Sequence, residues 1–339
     1  MMSCLRMAGL AALAALIATS AAAGTLADVR ARGVLRCGVR ADAPGFAYVD
    51  DKGVTRGFDV ELCHAVAAAV LGDPAKIETR PFLVRDALTQ LRAGAVDVMT
   101  HGLTWTFTRD NGGGVTFVAT WFYDGLGFMV RRSSGIASAG QLDGASICII
   151  AGSSGETSIA DYFRAHNMRY QVVAFADVAE SRHAYDDGRC DAWASDVGNL
   201  AARGLELKQR EDHVILPEII GRDPLGPVVR KDDPQWFDIV RWTIFALIEA
   251  EDLGVTQANV EDMRRNSKDP EVQRLLGTTD ALGAKDDLSS DWAYDAIKAV
   301  GNYGEIYDRY VGPNTRLGLA RGLNRLWKDG GLLYAPSFR

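Results

Sequence analysis

The sequence is short of the residues that metal, nucleic-acid and membrane proteins depend on. It has five histidines in 339 residues. His64, His101, His166, His183 and His213 show no metal-ligand spacing. Lys and Arg number 37 against 44 Asp and Glu, for a net charge of −7. There is no polybasic arm, so the electrostatic footprint of a nucleic-acid binder is missing. No stretch reaches the roughly 18 consecutive apolar residues of a transmembrane helix, and direct membrane insertion is not expected. The glycines 112–114 lack the Lys-Ser/Thr that follows in a phosphate loop. Gly152-Ser153-Ser154-Gly155 is out of register for a Gly-x-Ser-x-Gly nucleophile elbow. No cofactor is implied.

What the chain does have begins at its first residues. Arg6 is followed by an apolar run, Leu10 to Ala18, and then by Ala21, Ala22 and Ala23. This reads as a secretory signal peptide over residues 1–23, cut before Gly24, and predicts a periplasmic protein. Of the five cysteines, Cys4 falls in that segment, and none stands at the cleavage point to carry a lipid. Cys37, Cys63, Cys148 and Cys190 remain. An even count in an exported chain reads as two disulfides among three connectivities, or as four buried thiols. We take the local pairing, Cys37 with Cys63 and Cys148 with Cys190.

The length suggests two domains. Residues 34–100 alternate strand and helix: strand 34–39, helix 58–71, strand 76–80, helix 85–93 and strand 96–100. Phe58, Leu62, Ala65, Val66 and Ala69 form one stripe at the helical period, the face that covers a sheet. Residues 145–194 repeat the pattern, with strands 145–150, 170–174 and 191–194 and helices from Ser154 and over 177–187. The expected fold is α/β, with two lobes, each a mostly parallel sheet flanked by helices.

"AGAVDVMTHGLT" closes the first unit and "DDGRCDAWASDVG" the second, each with Gly-x-x-Asp before the strand. Open α/β sheets bind ligands beyond the carboxyl ends of their strands. The first exit delivers Thr104 and Arg109, and the second delivers Ser195 and Asp196. Between them, "AGSSGET" reads as a capping box from Ser153 to Glu156, and Gly152 permits close backbone approach. A helix start with free N–H groups suits an anion. A carboxylate held by Arg109 and this helix start, with an ammonium held by Asp196, describes an α-amino acid.

With these residues in place, the chain resembles the periplasmic general L-amino-acid-binding proteins of ABC importers. The likeness runs through "RGFDVELCHAVAAAVLGD", "TWTFTRD", "YDGLGFMVR", "GRCDAW", "DDPQWFDIVRWTIFALIEAE", "NYGEIYDRYVG" and "RGLNRLWKDGGLLYAP". It implies a two-lobe fold with residues 24–125 as the first part of lobe 1 and 126–225 as lobe 2. Residues 226–339 then complete lobe 1 and add a C-terminal helical extension. It implies Arg109 as the grip on the α-carboxylate, Thr104 as a hydroxyl near the ammonium, and Asp196 as the ammonium's carboxylate. Gly152, Ser153 and Ser154 match the segment that meets the carboxylate from the second lobe. Gly102, His101, Arg40 and Phe46 complete the implied ligand set. The cysteine positions match this subgroup and support the local pairing.

Departures fall where side-chain selectivity is set. Relatives of this type read Arg-Asn-Thr-Thr-Trp where this chain has His101-Gly102-Leu103-Thr104-Trp105, a small polar residue at Arg40, and an arginine at Ala87. Arg40 either adds positive charge near the ligand side chain or points to solvent. His101 in the pocket, with an ordinary pKa, predicts that acidic ligands bind more tightly as pH falls through about 6.5. The implied function is capture of a free L-amino acid by closure of the cleft and delivery to an inner-membrane ABC permease. Hinges are expected at 125–130 and 225–230. The alternatives are a ligand-loaded sensor for a membrane receptor and a cleft enzyme such as a dehydratase, since fold alone does not fix function.

Overall fold

The computed structural model describes residues 24–40 and 42–339. The expected signal peptide, residues 1–23 with Cys4, lies outside the described residues. Both predicted repeats are present. In the first, strands Leu35–Val39, Ile77–Pro81 and Val98–Thr104 run parallel, joined through helices Phe58–Leu71 and Val84–Arg92. In the second, Ser146–Ile150, Gln171–Phe175 and Ala192–Asp196 run parallel, with helices Ser154–Ala165 and Val178–Asp186 between them.

Each lobe's sheet is mostly parallel in strand direction, with one strand reversed. Asp223–Arg230 runs antiparallel to Val98–Thr104, and Leu126–Arg131 antiparallel to Ala192–Asp196. Each of these strands arrives from the other lobe, at the cleft edge where the parallel strands end. It can only run back the other way.

The echoed Gly-x-x-Asp does the same job twice, at the edge of each sheet away from the cleft. Asp97 accepts the Arg36 N–H at 2.8 Å, and Asp191 accepts the Ser146 N–H at 2.8 Å. Each aspartate thus ties the strand that feeds the cleft to its neighbour. Gly94 and Gly188 precede them with φ of +73° and +81°, a turn that costs a side-chain-bearing residue energy.

Helix Phe58–Leu71 is buried nearly all round, not on one stripe, because helices Pro234–Asp252 and Trp292–Val300 cover its outer face. In the second lobe, alternate residues face two cores. Phe128, Ile147 and Ile149 pack on one side of the sheet, and Met129, Cys148 and Trp193 on the other. The disulfides join Cys37 to Cys63 and Cys148 to Cys190, with Cα separations of 6.4 and 5.6 Å, each inside one lobe.

The chain crosses between lobes at Asp124–Leu126 and at residues 216–223; the first crossing contains Gly125, the start of one segment expected to bend, and the second ends just before the other. Residues 126–131 and 225–230 are paired inside sheets. At Gly125 a Cβ would fall 2.2 Å from Ile219 Cγ2 and 2.6 Å from Gly221 O, so the two crossings touch through a missing side chain. The C-terminal segment braces the first crossing. Tyr303 Oη donates to Trp121 O at 2.8 Å, and Asn324 bonds both the N–H and the C=O of Tyr123, at 2.7 and 2.9 Å.

Candidate functional site

Strand Val98–Thr104 ends at the cleft, and the short helix Phe107–Asn111 follows it. Thr106 caps that helix by accepting the Arg109 N–H at 3.3 Å, and Arg109 Nη1 donates to Thr104 O at 3.0 Å. The guanidinium is therefore held by its own loop. It lines a space of about 490 Å³, open mouth included, with Thr104 on its own side and Ser153, Ser154 and Asp196 on the opposite lobe. Burial lowers the Arg109 pKa, and Asp196 and Asp223 oppose that. A guanidinium is not deprotonated in proteins, so the group keeps its charge.

The capping box does not form as the spacing suggested. Glu156 bonds the Gly152 N–H at 2.8 Å, and no side-chain bond caps the helix at Ser153. Ser153 Oγ is buried without a hydrogen-bond partner. The helix start thus keeps its N–H groups and a hydroxyl for an anion in the cleft. Gly152 has φ of +71°, which holds the turn open to close approach.

Asp196 ends strand Ala192–Asp196 and stands at the cap of the next helix without using its side chain there. Burial raises its pKa well above the carboxylate range, Asp124 and Asp223 add to the rise, and Arg40 and Arg109 oppose it. Asp124 and Asp223 face each other across the antiparallel pair at the crossings. Burial pushes Asp124 up to about 7, despite N–H bonds from Gly125 and Gly198. Burial likewise raises Asp223, against bonds from Thr104 and Ser154. Three carboxylates that resist ionisation together are matched to a cation. Asp124 and Asp223 were not singled out in the sequence. Their signal is their place, beside Gly125 and Pro224 at the two crossings.

The lobes are closed on one another. Ser154 Oγ donates to Thr104 Oγ1 at 3.1 Å and to Asp223 Oδ1 at 3.4 Å. Arg40 Nη2 donates to Asn199 Oδ1 at 2.6 Å, and Arg203 Nη2 pairs with Asp42 Oδ2 at 2.5 Å. Each of these contacts joins the first lobe to the second.

Arg40 lies in the cleft, its side chain 17% exposed, and not out in solvent. His101 is 2% exposed, with Nε2 at 2.6 Å from Phe82 O and Nδ1 buried without a partner. Burial, with Arg40 adding to it, lowers its pKa to about 4. The expected titration near 6.5 is therefore overturned, because the ring is neutral throughout the physiological range. Gly102 sits at φ of +67°. Asn and Gly are the residues that best tolerate this region, so their exchange between this chain and its look-alikes is conservative. Phe46 is 7% exposed and packs edge-on against Phe58 and Phe122. It lines an inner recess with Asp59, His101, Asp124, Asp196 and Asn199. Burial raises Asp59 to about 8. Ala87 is fully buried in the first lobe's core beside Leu91 and Met99 and does not reach the cleft.

Comparison with known proteins gives the same picture from another side. Residues 35–258 match the family described as bacterial extracellular solute-binding proteins, family 3. The glutamate/glutamine/aspartate/asparagine-binding protein BztA of Rhodobacter capsulatus is 49% identical over 98% of both chains. The general L-amino acid-binding periplasmic protein AapJ of Rhizobium johnstonii is 47% identical over 97% of both. A solved ABC transporter/periplasmic binding protein from Brucella ovis with glutathione bound is 47% identical. It superposes with a TM-score of 0.91 over 94% of this chain and all of its own.

Proposed function

The chain belongs to the bacterial extracellular solute-binding proteins, family 3, and on that footing we propose that it captures an L-amino acid between its lobes and delivers it to an inner-membrane ABC permease. The observation that carries this reading is the meeting of opposite charges in one interlobe space: Arg109 with the open helix start at Ser153 and Ser154, and Asp196 facing them. In this reading Arg109 grips the α-carboxylate, the free N–H groups of the helix start complete its shell, and Asp196 takes the ammonium with Thr104 beside it. Closure matters because a zwitterion removed from water needs both charges paired.

Residues 24–125 and 226–339 then act as one lobe and 126–225 as the other. In this reading the protein binds its ligand without transforming it, and the binding-protein names of its relatives support that. Export follows removal of residues 1–23, and mass measurement of the N-terminus of exported protein tests cleavage before Gly24. Arg40 in the cleft favours glutamate and aspartate over lysine and arginine. The glutathione in the Brucella ovis structure carries a free α-amino and α-carboxylate group at its γ-glutamyl end, the two charges that this reading assigns to Asp196 and Arg109. Calorimetry of ligand-stripped protein against the common L-amino acids, small dicarboxylates and glutathione tests the whole reading. Binding of dicarboxylates that lack an α-ammonium, with no α-amino acid bound, overturns it.

A further inference from the structure

The clamp residues Thr104, Arg109, Ser153, Ser154 and Asp196 all fall within residues 35–258, the span of the family match. Residues 259–339 add no wall to the clamp space. They do reach the first crossing, and they reach it at the residue next to a cleft carboxyl.

Strand Phe122–Asp124 pairs antiparallel with Asp223–Arg230, and Tyr123 falls opposite Pro224. Proline has no N–H to give, and the Pro224 C=O already accepts the Trp105 N–H at 2.8 Å. Tyr123 has no bond to exchange with it. Both main-chain groups of Tyr123 go instead to one side chain 201 residues away. Its N–H donates to Asn324 Oδ1 at 2.7 Å, and Asn324 Nδ2 donates to its C=O at 2.9 Å. A carboxamide offers an acceptor beside donors, as a peptide group does, so Asn324 stands in for a neighbouring strand at this edge. The clip is itself fixed. Asn324 is 4% exposed, and Arg321, just before the same turn, bonds Glu251 at 2.9 Å.

What Tyr123 holds is its neighbour. Asp124 Oδ1 accepts the Gly125 N–H at 2.8 Å, and Oδ2 accepts the N–H of Gly198, a second-lobe residue, at 2.9 Å. This carboxyl stands among Asp223 on the paired strand, Asp196 from the second lobe, Asp59, His101 and Arg40 in the inner recess, and Tyr307 from helix Tyr303–Tyr310. Any shift of Tyr123 carries the Asp124 carboxyl with it and lets water in where the lobes meet.

We infer that Asn324 is a positioning residue for ligand capture: through the backbone of Tyr123 it holds the Asp124 carboxyl on the ammonium side of the cleft. The segment beyond residue 258 thus takes part in binding without touching the ligand. The inference rests on the amino-acid reading above.

The test compares Asn324→Ala and the milder Asn324→Ser with Tyr303→Phe, all in the ligand-stripped full chain. Tyr303→Phe removes the bond to Trp121 O nearby and leaves Tyr123 tied, so it reports plain destabilisation. Calorimetry with the common L-amino acids at pH 7, in buffers of different protonation enthalpy, reads affinity and proton release together. Loosening Tyr123 lets water reach Asp124, whose pKa burial holds up at about 7, and lets that value fall toward the ordinary carboxylate range. Asp124 is then ionised before the ligand arrives. Both Asn324 variants should bind about tenfold more weakly, release about half the parent's protons or fewer, and lose part of the fall in affinity from pH 8 to pH 6. Tyr303→Phe should melt lower, yet keep the parent's proton release and its affinity within about twofold. Unchanged proton release and pH dependence in Asn324→Ser overturn the inference and make Asn324 a brace of the fold alone. So does an equal loss of both in Tyr303→Phe, or a parent that binds amino acids without releasing protons. A parent that binds no amino acid overturns the reading, and the inference with it, before any variant is compared.

Discussion

At the clamp end of the cleft, each polar group is fixed by the fold, whereas at the far end the walls come from loops. Thr104 and Asp196 end core strands, and Arg109 is tied to its own loop through Thr104 O at 3.0 Å. Across from them, Ser154 bonds both Thr104 and Asp223. The far end is built by residues 81–83 and 176–177, outside helices, with Leu83 half-exposed. Groups common to all amino acids meet rigid elements, and groups that vary meet segments that tolerate change.

The largest test of this contrast is to remove the clamp. Arg109→Ala should melt like the parent yet lose roughly 2 to 5 kcal/mol of affinity for every ligand, because a charge-assisted grip on a desolvated carboxylate disappears. Arg109→Lys should also weaken binding, since a point charge cannot replace the guanidinium fork. Calorimetry showing unchanged affinity in Arg109→Ala would remove the clamp assignment.

Next comes pH, where the cleft carboxyls and His101 predict opposite signs. Asp124 is pushed up to about 7, and Asp196 and Asp223 are also raised, so in the empty closed cleft these carboxyls hold protons below such values. A bound ammonium favours the ionised forms, so binding releases protons. Affinity should fall as pH drops below about 7, by up to about tenfold per unit for one proton. Titration of His101 predicted the reverse for acidic ligands, but with its pKa lowered to about 4 it contributes nothing between pH 5 and 8. Calorimetry at pH 6 in buffers of different protonation enthalpy reads the proton release directly. Tighter glutamate binding at pH 6 than at pH 8 would return the control to His101.

Arg40→Ser acts where the clamp space meets the far end. It should reduce glutamate binding by about tenfold, in the range of a partly buried charge pair, while glutamine and other neutral ligands change little. Equal losses for glutamate and glutamine would mean that Arg40 serves closure through Asn199 and not the ligand. Asp42→Ala is the smallest effect; Asp42 lines the far end but pairs across the lobes, so its removal tests closure. Asp42 pairs with Arg203 across the lobes at 2.5 Å, and Arg203 keeps Glu206 at 3.4 Å when Asp42 is gone. The closed state should lose about 0.5 to 1 kcal/mol, so all ligands weaken by the same factor of about two to five. Small-angle scattering of the unliganded variant should show a more open shape. A ligand-selective loss would mean that Asp42 contacts the ligand.

Much of the fold was legible because it is local. The strand and helix positions of both repeats follow from periodicity, and the Gly-x-x-Asp echo marks the same strand tie in each lobe. Arg109 and Asp196 were legible as cleft residues because they stand directly after strand exits. Asp124 and Asp223 were not, since they lie 99 residues apart in number and meet only when the crossings pair. Of the segments expected to bend, 125–130 and 225–230, Gly125 stands in the first crossing, while the residues that follow it and residues 225–230 are paired inside sheets, which glycine content alone could not indicate.

Taken alone, the sequence determined the two α/β repeats and the charges brought to the strand exits, because each depends on residues close together or on a repeated pattern, while it left the disulfide partners as a choice among three connectivities. Only the tertiary structure decided that His101 is a neutral buried ring, that Arg40 turns into the cleft, that Ser153 leaves its helix uncapped, and that three aspartates share one space. Those outcomes depend on burial and on charges brought together from distant parts of the chain. The free energy of a charge is set by the medium around it, and that medium exists only once the lobes have packed.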